Sequence, residues 1–267
     1  VGMSDKSDLV LEGSGIRKVF RRAASWFTPA EETIALNGVD IDVRRGEILG
    51  VVGESGCGKS TLARIIVGLA EPDSGTLSVE GRQLFGPGMA PLPPVKRGIQ
   101  VVFQDPYASL NPRMRVGDVI AEGLSIAGES KTAIREKVAN VLTLVGLSPS
   151  DASKYPFQFS GGQRQRICVA RALIMEPALL IADEAVSALD VSVQMQILNL
   201  FLDLRERLGV SIIFITHDIA VVEYLCDRVM VMFNGEVVER NTSHALLDAP
   251  QHEYTQKLIS AVPRLAT

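Results

Sequence analysis

Cysteine is scarce in this sequence of 267 residues. The three cysteines, Cys57, Cys168 and Cys226, are widely spaced and form no CxxC pair. An odd and scattered set of this kind indicates neither a disulfide framework nor a zinc site. The sequence therefore predicts an ordinary globular protein of a reducing compartment, and its 46% of hydrophobic residues can fill one large core.

Excess positive charge and long apolar runs are also lacking. There are 27 lysines and arginines against 31 aspartates and glutamates, a net charge of −4, so the basic surface typical of nucleic-acid binding is not expected. The apolar stretch VSIIFITHDIAVV reaches His217 and Asp218 well before the roughly 20 residues that a membrane span needs. We therefore expect a soluble chain with no nucleic-acid partner.

Short β-rich runs alternate with helical patterns along most of the chain. The runs EILGVVG, ALLIAD and SIIFITH predict buried strands, and RVMVMFNGEVVER predicts a hairpin with an Asn-Gly turn. This alternation predicts an α/β fold with a largely parallel sheet and added antiparallel strands. A single domain at 3–267 would contain a helical insertion at 105–158, a helix continuing it at 160–175, and a helical tail at 241–267.

A glycine-rich loop, GESGCGKST, follows the apolar strand ILGVV and precedes a helical pattern. It matches G-x-x-x-x-G-K-[ST] in full. In such a loop the backbone N–H groups point at a β-phosphate, Lys59 reaches the β and γ oxygens, and the Ser60 hydroxyl can ligate Mg²⁺. The predicted phosphate-binding residues are Gly53, Glu54, Ser55, Gly56, Cys57, Gly58, Lys59, Ser60 and Thr61. We call residues 53–61 the phosphate loop.

Two carboxylates end the apolar strand in LLIADE. Asp183 is predicted to hold Mg²⁺ through its water shell, and Glu184 to orient or deprotonate the attacking water. An acidic pair after a strand is often only a solvated loop or a helix cap. Beside a complete phosphate loop, the catalytic interpretation is preferred.

Polar side chains follow two further predicted strands. Gln104 comes after IQVVF, where its amide can bind Mg²⁺ and the water, and His217 comes after IIFIT, where its imidazole can hydrogen-bond a γ-phosphate. Each signal is weak alone, since a histidine at a strand end is usually structural. Four strand ends meeting at one phosphate would make a cleavage site in which Lys59, Gln104, Glu184 and His217 are catalytic.

A second phosphate-binding arrangement lies in FSGGQRQR. Gly161 and Gly162 leave bare N–H groups between the hydroxyl of Ser160 and the amide of Gln163, and the apolar run ICVARALI follows as a helix would. The chain has only one set of residues suited to cleaving a phosphate. A single active site therefore does not explain the second arrangement. We call residues 160–163 the signature segment.

The order and spacing of these motifs resemble the ATP-binding cassette (ABC) family over nearly the whole chain. GESGCGKST is similar to its Walker A motif, Gln104 to its Q-loop, SGGQ to its signature, LLIADE to its Walker B, SALD (ending at Asp190) to its D-loop and His217 to its switch histidine. The sequence has no N-K-x-D motif of the kind that GTPases use. The resemblance implies a P-loop NTPase core of ABC type that binds ATP and Mg²⁺ and hydrolyses ATP. It also implies an antiparallel β subdomain and an inserted α-helical subdomain.

The resemblance implies a use for the signature segment as well. In this family two cassettes close head to tail, so that the phosphate loop of one and the SGGQ of the other hold the same ATP. Residues 160–163 would then serve a neighbour's nucleotide, and the segment at Asp190 would contact that neighbour. A second cassette, identical or different, is an expected partner.

The adenine contact and the Walker B turn differ from the family's simplest pattern. The family stacks an aromatic residue on adenine; Phe20 occupies that place, but Trp26 and Phe27 lie in an insertion just after it, so the choice is open. Ala185 and Val186 stand where proline and threonine are usual. Both carboxylates are kept, so hydrolysis is expected.

Three further stretches, QDPYASLNPRM, YPFQFSGGQ and HEYTQKLISAVPR, resemble the ATPases of oligopeptide, dipeptide and nickel importers. The resemblance implies a peripheral subunit on the cytoplasmic face of a bacterial inner membrane. Its partners would be two transmembrane permease subunits and, indirectly, an extracytoplasmic solute-binding protein. A peptide is the favoured solute, with nickel or another small solute as the alternative. An exporter ATPase and a DNA-associated ATPase are disfavoured, because the sequence contains no membrane domain and no sustained heptads.

Overall fold

The computed structural model describes residues 8–22, 31–89 and 98–260. Within these ranges the chain forms ten strands and nine α-helices. The strands are β1 (Leu9–Arg22), β2 (Glu31–Arg44), β3 (Ile48–Val52), β4 (Ser74–Val79), β5 (Arg82–Phe85), β6 (Ile99–Val102), β7 (Leu179–Asp183), β8 (Ser211–Thr216), β9 (Arg228–Phe233) and β10 (Glu236–Thr242). The helices are α1 (Lys59–Val67), α2 (Pro106–Ser109), α3 (Val116–Ile126), α4 (Lys131–Leu144), α5 (Gly161–Leu173), α6 (Val191–Leu208), α7 (Ile219–Leu225), α8 (Ser243–Asp248) and α9 (Glu253–Ser260).

The strands form two sheets. One is four-stranded and antiparallel, in the order β2-β1-β4-β5. The other is six-stranded, in the order β10-β9-β3-β8-β7-β6, and only its edge strand β10 is antiparallel to its neighbour. The predicted α/β fold, with a largely parallel sheet and separate antiparallel strands, is confirmed.

Alternate residues of the parallel strands face two different cores. In β3, Ile48 and Val52 pack in a core with helices α3 to α9, whereas Leu49 and Val51 pack in a core with α1 and the antiparallel sheet. Successive side chains of a strand point to opposite faces, so a strand covered on both faces needs a continuous apolar run. ILGVV in β3 and SIIFIT in β8 provide such runs, and every residue of both strands is buried.

All the regular elements of the segment 105–158 are helical. Helices α2, α3 and α4 are followed by two short 3₁₀ turns, Pro149–Ser153 and Pro156–Gln158. Val119 of α3 and Leu142 of α4 are buried in the same core as α5. This helical layer therefore packs on one face of the parallel sheet and leads directly into the signature segment.

The β9–β10 hairpin turns at Asn234 and Gly235, as the Asn-Gly pair predicts. Their φ angles are 48° and 80°, and two positive values in a two-residue loop define a tight hairpin turn. The Gly235 N–H donates to the carbonyl oxygen of Cys57 at 3.0 Å. The hairpin turn is therefore attached to the phosphate loop.

The tail after β10 is helical up to the last described residue. Leu246 of α8, and Tyr254 and Ile259 of α9, are buried in the core that contains α3 to α7. Among the described residues no helix is long and apolar enough to cross a bilayer.

Candidate active site

The predicted site residues follow four neighbouring parallel strands. The strands are adjacent in the order β3-β8-β7-β6, so their carboxyl ends lie along one edge of the sheet. The phosphate loop follows β3, His217 follows β8, Asp183 ends β7, and Gln104 comes shortly after β6. Ligands of open α/β sheets bind outside this edge. The fold therefore brings the predicted residues to one edge.

Glycines shape the phosphate loop. The φ angle is 153° at Gly53 and 109° at Gly58, values that other residues rarely adopt. A Cβ on Gly53 would overlap the carbonyl oxygen of Met232 in β9, and one on Gly58 would overlap that of Ala35 in β2. Both positions therefore require glycine, and the loop is held between β9 and β2.

Lys59 supplies the cation of the phosphate loop. It is the first residue of α1 and is 5% exposed. Its Nζ donates to the carbonyl oxygens of Gly53 at 2.7 Å and Glu54 at 2.8 Å. The first turn of α1 has no acidic residue, so the free N–H groups and positive dipole end of the helix add to the lysine charge. The loop is therefore suited to an anion.

Ser60 and Asp183 form a pair of oxygen ligands beside this loop. The Ser60 Oγ lies 3.4 Å from the Asp183 Oδ1. Burial, and next the charge of Glu184, raise the pKa of Asp183 above its ordinary value, while the Ser60 hydrogen bond, Arg64 and Lys59 act in the opposite direction. A half-buried carboxylate and a hydroxyl at this spacing suit a hard cation such as Mg²⁺.

Any such cation would need further oxygen ligands. No group of three or more histidine, cysteine, aspartate or glutamate side chains that could hold a metal occurs in the described part of the chain. Mg²⁺ is commonly bound by one or two carboxylates together with phosphate oxygens and water. The Ser60–Asp183 pair fits this mode of binding.

Asp183→Asn is expected to raise the unfolding temperature of the chain, without nucleotide or Mg²⁺, by about 1–3 °C at pH 7. A folded-state pKa above the ordinary 3.8 means that the ionised carboxylate destabilises the fold. Asparagine keeps an oxygen for Ser60 and removes the charge. Since aspartate is itself protonated in both states well below pH 3.8, the difference should shrink as the pH falls.

The measurement is thermal unfolding at pH 7 and at lower pH, with the exposed Asp203→Asn on α6 as the control for the same chemical change. Asp203 is exposed, and its variant should unfold close to the wild type. A lower unfolding temperature for Asp183→Asn at pH 7 would contradict the electrostatic interpretation.

Glu184 has an unusual backbone conformation. Its φ is 50°, in the left-handed region that non-glycine residues rarely occupy. Its N–H donates to the carbonyl oxygen of Ile215 in β8 at 3.0 Å, which fixes the turn. The His217 Nδ1 lies 3.6 Å from the Glu184 Oε1. The turn therefore separates Glu184 from Asp183, the predicted cation ligand, and places it beside His217.

Ser187 joins Gln104 to this turn. Its Oγ donates to the carbonyl oxygen of Glu184 at 3.0 Å and accepts from the Gln104 Nε2 at 3.1 Å. Sequence reasoning placed Ser187 only within SALD and gave it no role. The available signal was a hydroxyl three residues after Glu184, a spacing at which serine can bond back to the backbone of a turn.

A cleft of about 730 Å³ is lined by part of this set, and Lys59, Ser187 and His217 are not among its lining residues. Two of its lining residues are arginines that belong to none of the predicted motifs, Arg64 of α1 and Arg171 of α5. The predicted residues that line it are Ser55, Ser60, Gln104, Asp183 and Glu184. The cleft thus combines positive charge with the carboxylates, as a site for a nucleotide and a divalent cation requires.

The signature segment is built differently from the phosphate loop. Ser160 caps α5: its Oγ accepts from the Gln163 N–H at 3.3 Å, and the Gln163 Oε1 accepts from the Ser160 N–H at 3.0 Å. These two side-chain oxygens satisfy the segment's own backbone. The N–H groups of Gly161 and Gly162, in the first turn of α5, have no acceptor within the helix and could donate to a ligand outside it.

The two signature glycines differ in the space around them. A Cβ on Gly162 would overlap the Val193 side chain of α6, whereas one on Gly161 would lie 3.7 Å from Leu189, an ordinary contact. Gly162 is therefore required by packing within the chain. Packing within the chain does not require glycine at position 161.

The signature segment lines a second cleft, of about 330 Å³. Ser160, Gly161 and Gly162 line this cleft together with Asp190, whereas the phosphate loop lines the first cleft. Among the described residues, Asp105 alone lines both. One chain therefore holds the phosphate loop and the signature segment in separate clefts.

Of the three candidate adenine contacts, Phe20 lies in the described part of the chain. It is 47% exposed on β1, opposite Thr33 of β2, and the Lys18 Nζ lies 5.6 Å from its ring centroid. Trp26 and Phe27 lie outside the described residues. The choice among the three stays open.

Comparisons with known proteins agree with this geometry. Residues 36–187 match the family model described as ABC transporter. Over 258 residues the chain is 45% identical to the dipeptide transport ATP-binding protein DppF of Haemophilus influenzae, and the match covers 96% of this chain and 79% of the relative.

Two solved structures have the same fold. One is cbiO1 from Clostridium perfringens, part of the ABC transporter complex cbiONQ, with a TM-score of 0.75 and 28% identity over 91% of this chain and 92% of the other. The second is the ATP-binding cassette MJ0796 in a dimeric post-hydrolysis state bound to ADP and Pi. Its TM-score is 0.73 and its identity 25%, over 87% of this chain and 98% of the other.

Proposed function

Because the chain belongs to the ABC transporter family, we propose that it is the ATP-hydrolysing subunit of an importer whose solute is a peptide. Transport would be driven by ATP-dependent closure of two cassettes. The cleft at the carboxyl ends of β3, β8, β7 and β6 supports the ATPase activity. Similarity to a dipeptide transport ATP-binding protein supports the choice of solute.

The observation that carries this proposal is the separation of the two phosphate-binding segments. The phosphate loop lines one cleft and the signature segment another. The N–H groups of Gly161 and Gly162 need an acceptor that their own helix does not provide. A second cassette, turned head to tail, would bring its bound ATP to these N–H groups and would present its own signature segment to the phosphate loop of this chain.

The side chains in and beside the cleft have different roles in hydrolysis. Lys59 and the first N–H groups of α1 neutralise the β- and γ-phosphates. Glu184 orients the attacking water or accepts its proton, and His217, 3.6 Å from Glu184, hydrogen-bonds the γ-phosphate. Gln104 is linked to Glu184, because Ser187 joins its amide to the Glu184 carbonyl.

Mg²⁺ is the cation that the oxygen ligands suit. Ser60, Asp183 and Gln104 would hold it, and its chemistry is to neutralise charge that develops between the β and γ oxygens. The raised pKa of Asp183 supports this assignment, because a bound cation would stabilise the ionised carboxylate.

A third cleft suits a membrane partner. It has a volume of about 340 Å³, lies between α3 and the edge strand β6, and is lined by Phe103, Ile126 and Met175 among others. Ile126 is 75% exposed and Phe103 is 36% exposed, and exposed apolar surface of this kind marks interaction sites. Phe103 directly precedes Gln104, so a permease helix seated here would sense the state of the active site. We assign this cleft and residues 104–115 to two permease subunits at the cytoplasmic face of the membrane.

The solute is chosen outside this chain, by permeases and an extracytoplasmic binding protein. Nickel or another small solute is the alternative that the same subfamily resemblance allows. The decisive experiment purifies the chain with its native membrane partners, reconstitutes the complex with its binding protein, and measures ATP hydrolysis with dipeptides or with Ni²⁺. Stimulation by dipeptides is expected. Stimulation by Ni²⁺ and not by dipeptides would mean that the solute is Ni²⁺. Purification of the chain without any membrane subunit would contradict the proposal that it belongs to an importer.

The same preparation tests the assigned contact surface. Cysteine placed at Asn111 should lose its reactivity toward a thiol reagent when the permeases are present. Asn241→Cys is the control, because Asn241 is exposed on β10, at the opposite edge of the six-stranded sheet from β6. The three natural cysteines are buried and should contribute little labelling. Equal labelling of position 111 with and without permeases would contradict the assignment.

A further inference from the structure

The tail of the chain reaches the phosphate loop through one tyrosine. The Glu54 N–H donates to the Tyr254 hydroxyl at 2.8 Å, a contact between residues 200 positions apart. Tyr254 is 8% exposed, and its ring centroid lies 4.3 Å from that of Phe233 at the end of β9. The hydroxyl is therefore held in place by a packed ring.

The start of α9 is itself fixed to the sheet. Glu239 of β10 accepts hydrogen bonds from the N–H groups of Gln251 at 2.8 Å and His252 at 2.9 Å. The His252 Nδ1 in turn accepts from the Tyr254 N–H at 3.1 Å. These bonds set the position of the first turn of α9, and with it the position of the tyrosine.

Glu54 connects this tyrosine to the lysine of the phosphate loop. Its N–H is bonded to Tyr254, and its carbonyl oxygen accepts from the Lys59 Nζ at 2.8 Å. The residue before it, Gly53, has no room for a side chain beside the Met232 carbonyl of β9, so β9 confines the loop on one side. The Tyr254 contact holds the next residue.

We propose that Tyr254 is a positioning residue for nucleotide binding, and that α9 is a brace that keeps Glu54 and the Lys59 ammonium in the geometry that phosphates require. The inference rests on the proposed ATPase function and adds to it a residue that lies outside the predicted nucleotide-binding motifs. Loss of the hydroxyl would leave the Glu54 N–H without its acceptor and would allow the loop to move.

The test compares Tyr254→Phe with Tyr224→Phe. Phenylalanine at 254 keeps the ring that packs on Phe233 and removes only the hydroxyl. Tyr224 is a matched control, because its hydroxyl donates to the Asn199 Oδ1 at 2.6 Å, in a contact between α7 and α6. Two quantities are measured for each variant: amide hydrogen exchange of residues 53–61 without nucleotide, and the Kd for MgATP.

For Tyr254→Phe we expect exchange about 5- to 10-fold faster within residues 53–61 and MgATP binding about 3- to 10-fold weaker, effects typical of one lost hydrogen bond. Tyr224→Phe should match the wild type in both. Unchanged hydrogen exchange and unchanged affinity in Tyr254→Phe would overturn the inference and leave the proposed ATPase function standing. Equal losses in both variants would also overturn it, because the cause would then be general destabilisation of the chain. A wild-type chain that does not bind MgATP would overturn the proposed function as well.

Discussion

Glu184→Gln is expected to bind MgATP with nearly wild-type affinity and to hydrolyse it about 10² to 10⁴ times more slowly, the range that follows loss of a general base. Glutamine has the same shape but cannot accept the proton of the attacking water. The backbone at Glu184 has a φ of 50°, a conformation that costs energy in a residue other than glycine. The turn aims the carboxylate toward His217, 3.6 Å away.

The chain contains a matched control for this substitution. Glu176 also has a left-handed backbone, with a φ of 49°, but it precedes β7 whereas Glu184 follows it. Glu176→Gln makes the same chemical change in the same backbone conformation at the opposite end of the strand, and should hydrolyse ATP at the wild-type rate. Equal rates for Glu184→Gln and the wild type, measured in the transporter complex, would reject the assigned base.

Gly161→Asp is expected to leave MgATP binding by the isolated chain within about twofold of the wild type, and to weaken ATP-driven pairing of cassettes roughly 10²-fold or more. The first expectation follows because the signature segment lines a different cleft from the phosphate loop. The second follows because the new carboxylate would face the partner's γ-phosphate, and like charges brought together at an interface cost several kcal/mol.

The structure favours position 161 for this test over its neighbours. A Cβ at 161 meets only an ordinary contact with Leu189, whereas one at 162 overlaps Val193, so a change at Gly162 would disturb the chain itself. Replacing Ser160 would remove the cap of α5, at a cost of about 0.5–2 kcal/mol. An aspartate in the first turn is also compatible with the helix dipole. Gly161→Ala adds a methyl group without charge and separates the steric effect from the electrostatic one.

Pairing is measured by size-exclusion chromatography with MgATP in a Glu184→Gln background, where slow hydrolysis preserves the nucleotide. If Gly161→Asp pairs as well as Gly161→Ala and the unmodified background, the signature segment does not meet a partner's phosphate. If it fails to bind MgATP as an isolated chain, the segment acts within its own active site.

The sequence predicts those parts of this molecule that depend on local pattern. β3 and β8 are apolar at nearly every position because both their faces are covered, and the Asn234-Gly235 turn follows from two residues that tolerate a positive φ. The phosphate loop is recognisable because its glycines and lysine are contiguous. Parallel strands then carry four separate polar motifs to one edge of the sheet.

What the sequence does not predict depends on contacts between distant residues. The bond between Glu54 and Tyr254 joins positions 200 apart, and no local pattern marks a tyrosine in a tail as a partner of a loop near the start. Ser187 is similar: its link to Gln104 spans 83 positions.

The central claim is that the signature segment of one cassette completes the site built on the phosphate loop of another. It is tested most directly by placing two lesions in a pair formed by this chain and the cassette that copurifies with it. In the split arrangement, Lys59→Ala is in this chain and the matching signature-glycine change is in the partner. In the same-chain arrangement, Lys59→Ala and Gly161→Asp are both in this chain. The quantity measured is the number of ATP molecules trapped per closed pair.

In the split arrangement both lesions fall in one composite site, so the second site should still trap one ATP and close. In the same-chain arrangement each composite site carries one lesion, so neither should trap ATP. One ATP trapped in the split arrangement and none in the same-chain arrangement is the predicted result. The reverse result, one ATP in the same-chain arrangement and none in the split arrangement, would mean that each signature segment serves its own chain, and would contradict the claim that cassettes share their ATP sites.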